Sequence, residues 1–273
     1  MTRIVSQILS KLTRKASEEH RLSIHQEHEL LMRLERAGLT AKDAQRVIES
    51  KGNVVAQEIL YVLRNGVYHP TKSQKAAKEI MGNNFFGIED AIEHFDLRPD
   101  KDQIAELDDV PFSEVTLQMC KNTHILVAVF PMSILQMFEN KKLRHLLCLD
   151  NPGKDPWFKR ERFAWNEGGV GWYLISKQSL ENSLNKEWVE QLHMFGRENE
   201  PASVRVVTYA ALGHFLKTGE TMFAENMDRC AELDGSGRRI TVGPFKEDGL
   251  RVQAWWDDSR AYFVGAASSR RQE

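Results

Sequence analysis

The sequence predicts an α+β protein in two parts: an N-terminal helical bundle over residues 1–80, followed by a mixed α/β domain over residues 81–273 with a C-terminal antiparallel sheet. Three observations carry this expectation. Apolar residues recur at helical spacing through residues 1–65, a β-branched run at residues 125–130 has the length of a buried strand, and short β-rich runs separated by turn residues fill the chain after Asp234. The bulk composition agrees with a folded chain, since 41% hydrophobic and 28% charged residues exclude general disorder.

The first amphipathic pattern is Ile4, Ile8 and Leu12, which predicts a helix over residues 2–20. Ile24, Leu30, Leu31 and Leu34 predict a second over residues 23–37, with Gly38 as its stop. Thr40 offers an N-cap to a third helix over residues 41–50, and Gly52 and Asn53 separate it from a fourth that starts at Val54. Asn65-Gly66, Pro70 and the polar run 71–75 mark the boundary region. Short helices are expected over residues 87–95, 99–107 and 113–120.

Residues 125–130 end at Pro131 and should lie inside the second core. Helical character is expected over 133–138, 157–165 and 186–195, and a turn into a strand at 168–175. Residues 204–216 lead into Thr218-Gly219 as a helix, although Val204-Arg-Val-Val-Thr-Tyr has strand character at its start. The final runs, 240–242, 250–255 and 262–264, predict the small sheet.

Charge is unevenly placed. Residues 1–80 carry 14 Lys and Arg against 9 Asp and Glu, while the rest carries 23 against 30, so the two parts are complementary or the first attracts a polyanion. Helix-turn-helix binding of nucleic acid is disfavoured, because Glu27, Glu29, Glu35 and Glu49 interrupt the basic surface that a phosphate backbone needs. No run approaches the roughly 20 apolar residues of a membrane span, and the first residues lack the features of a signal peptide, so a cytoplasmic protein is expected. Cys120, Cys148 and Cys230 are too widely separated for a disulfide framework or a paired metal site.

The segment from about Arg229 onward, ending in Gly249-Leu-Arg-Val-Gln-Ala-Trp-Trp-Asp-Asp-Ser-Arg and Ala261-Tyr-Phe-Val-Gly, resembles the C-terminal portion of C-type-lectin-fold domains, including variable ligand-binding proteins. The resemblance implies a lectin-like sheet with a Trp/Asp/Arg loop as its recognition surface. In lectins a related Trp-Asn-Asp triplet supplies calcium oxygens; Trp256-Asp257-Asp258 lacks the Asn, and the lectin disulfides are missing. Residues 85–265 are also similar to a bacterial family of uncharacterised proteins, judging from Asn84-Phe-Phe-Gly-Ile-Glu-Asp-Ala-Ile, His124-Ile-Leu-Val-Ala-Val-Phe-Pro and Gly213-His-Phe-Leu-Lys-Thr-Gly-Glu, which implies no activity.

The residues themselves nominate a ligand-binding set of Trp255, Trp256, Asp257, Asp258 and Arg260. Adjacent Trp residues on a strand point to opposite faces, and an exposed aromatic beside charges suits recognition. Competing chemistry is thin. Cys120 with His124, or His214 with Glu220, could serve a hydrolase, but no local catalytic motif accompanies either pair. His25 and His28 share a helical face without further ligands, and Asp234-Gly-Ser-Gly reads as a turn, not a calcium loop. The sequence therefore points to a noncatalytic protein that binds a protein or small molecule, with no cofactor and no metal, and with a helical docking module at its N-terminal end.

Overall fold

The computed structural model describes residues 22–148 and 155–273; the helix expected over residues 2–20 lies outside them. The chain divides into two compact units between Tyr68 and His69. The described part of the first unit is mostly helical, with α1 (Ile24–Arg36), α2 (Ala41–Glu49) and α3 (Val54–Asn65). Local chemistry fixes where these helices start. The Ser23 hydroxyl accepts from the Gln26 amide while Gln26 Oε1 accepts from the Ser23 amide at 2.9 Å, and Thr40 and Asp43 form the same reciprocal pair before α2. Gly52 and Asn53 take positive φ values of 68° and 60° and turn the chain into α3. Leu31, Ala44, Val47 and Ala56 are buried, whereas α3 leaves Val54, Ile59, Val62 and Leu63 exposed.

The second unit is a mixed α+β structure. Its helices are α4 (Lys72–Met81), α5 (Ile88–Phe95), α6 (Lys101–Ala105), α7 (Glu114–Cys120), α8 (Ile134–Glu139), α9 (Arg162–Trp165), α10 (Trp188–Met194) and α11 (Val204–Thr218). Its strands are β1 (Phe85–Phe86), β2 (His124–Val129), β3 (Gly171–Ser176), β4 (Asn199–Pro201), β5 (Met227–Leu233), β6 (Arg239–Lys246), β7 (Gly249–Trp255), β8 (Val264–Ala266) and β9 (Ser268–Arg270). One sheet has the order β1-β2-β3-β9-β4, the other β7-β6-β5-β8. Each is mixed: β1 runs parallel to β2 and β5 parallel to β8, and the remaining pairings are antiparallel. The C-terminal sheet is thus rich in antiparallel pairing, built on the β5–β6–β7 meander.

Helix α11 is the centre of the unit, touching β1, β2 and β3 of one sheet and β5, β6 and β7 of the other. Every residue from Val204 to His214 is buried, the polar Arg205, Thr208 and His214 among them, so the helix is enclosed on all sides. The strand-like character of Val204-Arg-Val-Val-Thr-Tyr is overridden because a helix buries all of these side chains at once. Glu232 on β5 anchors its first turn, accepting from Val204 N at 2.8 Å and from the Ser203 hydroxyl at 2.7 Å. Gly219 ends it at φ 76°. At Gly213 the chain passes so close to Phe86 that a Cβ would lie 2.8 Å from its ring, so helix and sheet approach through a missing side chain.

The core of the first sheet is the expected run: residues 125–130 are at most 2% exposed, and Ile125, Leu126 and Val127 pair with Ile175, Leu174 and Tyr173. The 157–165 region splits into a 3-10 turn at Trp157–Arg160 and the single turn α9. The last expected strand starts at Val264, two residues later than the sequence suggested, after exposed Tyr262. Among the described residues, no helix is long and apolar enough to cross a membrane.

Candidate functional site

Two neighbouring clefts share a wall made by residues 178–181, in the loop that leaves β3. Backbone bonds fix this loop from both sides: Lys177 N donates to Thr123 O at 2.9 Å, and Leu180 N to Ala266 O at 2.9 Å. A second loop, between α11 and β5, closes the larger cleft. It is tied down by Phe223 N donating to Lys177 O (3.1 Å) and Phe245 N to Phe223 O (3.0 Å). Phe223 sits in the left-handed region at φ 51°, a conformation costing a bulky L residue about 1–2 kcal/mol. Its ring is buried, and that burial holds the backbone in place.

The larger cleft, about 630 Å³, is lined on its open side by Glu181, Asn182, Glu225 and Asn226. The smaller, about 410 Å³, is lined by His124, Lys177, Asn199, Ser268 and Arg270 together with the shared wall. Beneath that wall lies Asp228, which has no exposed surface and whose two carboxyl oxygens have no hydrogen-bond partner of good geometry among the described residues. Burial pushes its carboxyl up to about 7, against the nearby Ser179 hydroxyl, which lowers it. Gly265 makes room for the pair: a Cβ there would stand 2.6 Å from Asp228 Oδ1 and 2.8 Å from Ser179 Oγ. Asn226 Nδ2 donates to Ser179 Oγ at 3.1 Å. Ser179 therefore joins a buried carboxyl to both clefts.

The five residues nominated by the sequence occupy a different place, at the end of β7 and the following turn. Trp255 is half-buried and packs edge-on against Phe263 at 5.7 Å between ring centres. It lines a third, open groove of about 300 Å³ with Trp157, Arg238, Gln253 and Ala254. Asp257 is engaged by Arg239 through two bonds of 2.8 and 2.9 Å, and Arg239 also stacks 4.0 Å above the Trp188 ring. Arg260 bridges Glu187 and Glu190 at 3.1 and 3.0 Å. The loop is held from below by fully buried Arg229, which donates to Trp256 O at 2.8 Å, Ser259 O at 2.6 Å, Lys186 O at 2.9 Å and Gln191 Oε1 at 3.1 Å. Trp256 and Asp258 present exposed side chains, and among the described residues Asp258 makes no ion pair.

Among the described residues no hydrogen bond joins Cys120 to His124, and His214 and Glu220 make only a long contact. Cys120 is buried, and burial raises its thiol, the opposite of what an attacking thiolate needs. His124 starts β2, its Nδ1 2.8 Å from Thr123 Oγ1, and burial with Arg270 nearby lowers it to about 4, so its imidazole is neutral. His214 Nε2 stands 3.5 Å from Glu220 Oε2 and is lowered chiefly by burial. The Asp234 carboxylate caps its own turn, accepting from Ser236 N and Arg238 N at 2.9 Å each. No group of three or more His, Cys, Asp or Glu suited to a metal occurs among the described residues.

Ser179, Asn226 and Asp228 were not nominated by the sequence. The signal was Met227-Asp-Arg-Cys: two adjacent charges in a strand point to opposite faces, so at least one faces the interior. It becomes visible only once residues 227–233 are recognised as β5. No family model matches the chain, and no curated protein or solved structure does so.

Proposed function

We propose that the protein is a noncatalytic binding protein that takes a small polar ligand in the clefts on either side of residues 178–181. The observation that carries this reading is Asp228: a fully buried carboxyl without good partners, linked through Ser179 to the surface of both clefts. Such a group is costly to keep in a core, and it is retained where it organises a site. Concave shape with several convergent polar side chains is the ordinary form of a small-ligand site. Binding is favoured over hydrolysis because Cys120 is disfavoured as a thiolate and no hydrogen bond joins it to His124 among the described residues. On the same reading, the β5–β6–β7 meander and the turn after it are the lectin-like segment. Its Trp256 and Asp258 form a secondary contact surface at most, because Asp257 and Arg260 are taken up by internal pairs.

A thermal-shift panel of amino acids, dicarboxylates, sugar phosphates and nucleotides tests the proposal. At least one compound should raise Tm of the wild type by mass action and leave Ser179→Trp, whose side chain fills the shared wall, unmoved. Gln178→Trp, at an exposed position lining both clefts, gives the same readout should S179W fail to fold. Equal shifts in wild type and both variants would sink the assignment, as would a panel without a single stabilising compound.

A further inference from the structure

The larger cleft carries charge of one sign. Glu181 stands on the wall shared with the smaller cleft, Glu225 on the loop between α11 and β5, and among the described residues no cation lines the space. Both glutamates are exposed, and neither is taken up by an ion pair or a hydrogen bond there. Gln178, Ser179, Asn182 and Asn226 complete the polar lining, each with an oxygen that can accept. Two exposed acids alone would define no ligand, since water solvates them.

The buried carboxyl behind Ser179 adds a second, independent demand for positive charge. Asn226 Nδ2 donates to Ser179 Oγ at 3.1 Å, which ties the two lining loops together. Asp228 is directed at the same hydroxyl: the point a Cβ would occupy at Gly265 lies 2.6 Å from Asp228 Oδ1 and 2.8 Å from Ser179 Oγ, so both oxygens flank it. Nothing around Asp228 balances its charge. Its cross-strand neighbours are Val242 on β6 and Gly265 on β8, and Cys230, on the same face of β5, is a thiol that burial pushes up. Helix α11 and β4 also pack on β5, but their charged groups, Arg205, His214, Lys217 and Glu200, do not act on Asp228; only burial and the Ser179 hydroxyl do.

We propose that the larger cleft binds a small organic amine, whose ammonium group donates to Ser179 Oγ in the field of Glu181 and Glu225 and supplies the countercharge that Asp228 lacks. This rests on the preceding reading that the clefts hold a small ligand. Ser179 is the link: its oxygen accepts from Asn226 and from the ligand, while its own proton turns to the Asp228 carboxylate. Among the described residues the acids are not grouped at metal-ligand distances, an arrangement that suits an extended organic cation better than a metal ion. In the free protein Asp228 is largely protonated below about 7. A cation at Ser179 favours the carboxylate, so binding there releases a proton to solvent, and affinity rises with pH.

Isothermal titration of the full chain at low ionic strength with putrescine, and with butanediol as its uncharged counterpart, tests this. Putrescine should bind at least about tenfold more tightly than butanediol. It keeps both charges between about pH 6 and 8, so a severalfold gain in affinity over that range, with proton release read from the dependence of the heat on the buffer, reports Asp228. Asp228→Asn should bind putrescine without pH dependence or proton release, and Glu181→Gln and Glu225→Gln should each weaken binding severalfold. Should Asp228→Asn fail to fold, proton release by the wild type and the two glutamine variants, both at exposed positions, still decide. Absence of putrescine binding overturns the proposal, as does binding that butanediol matches or that proceeds without proton release. If putrescine fails but a compound of the thermal-shift panel stabilises the wild type and not Ser179→Trp, the amine assignment falls while the cleft stands. If no panel compound does so either, both fall.

Discussion

The turn after β7 and the loop after β3 are both rich in polar residues, yet they use them in opposite ways. Around Trp256 the charges are consumed internally: Arg239 holds Asp257, Arg260 holds two glutamates, and Arg229 holds the backbone. Around Ser179 the buried charge is left open: Asp228 lacks good partners. Residue types alone would rank the first region higher as a recognition surface. Pairing reverses that order, because a charge already satisfied within the fold offers little to a ligand.

The largest expected effect breaks the first side of the comparison. Arg229→Met removes a fully buried guanidinium and orphans three backbone carbonyls and Gln191 Oε1, and should cost about 3–5 kcal/mol in urea denaturation. A loss below about 1 kcal/mol would show that the turn does not depend on its internal pairing.

Asp228→Asn sharpens the second side. The folded carboxyl titrates near 7, above its unfolded value. The folded state therefore holds the proton more tightly, and this group's contribution to stability falls as pH rises from about 4 through 7. The asparagine variant should be more stable than wild type by about 2–4 kcal/mol at pH 8 and show no such gain near pH 4. A variant equally or less stable at pH 8 would mean that Asp228 has a partner that satisfies its charge.

Smaller effects follow around the turn. Arg239→Gln loses the stack on Trp188, the pair with Asp257 and the bonds from a buried guanidinium to the Cys230 and Ala231 carbonyls, and should cost about 2–3 kcal/mol, read from the same denaturation curves. Trp256→Ala, with its side chain half in water, should change stability by no more than about 0.5 kcal/mol. A loss of 2 kcal/mol there would mean that the ring is a structural anchor.

Much of the fold was legible because it is written in local chemistry. Ser23, Thr40, Gly38 and Gly52 mark helix ends directly, and residues 125–130 could only be a buried strand. The short strands Phe85–Phe86, Asn199–Pro201 and Ser268–Arg270 were not, since two or three residues carry no periodicity and are defined by partners far away in the chain. Strand β5 was hidden for another reason: Asp228 and Arg229 look like surface residues until the tertiary structure buries both. The same concealment explains the site. Ser179, Asn226 and Asp228 come together from two loops and a strand, and none belongs to a local motif.

The most direct test of the account is an amide chemical-shift map of the full chain with a compound that stabilises it. The account predicts shifts concentrated at residues 177–182, 224–228 and 265–270, the walls and floor of the two clefts. Shifts concentrated instead at residues 255–260, with the Ser179 loop unmoved, would contradict it and return recognition to the Trp/Asp/Arg turn.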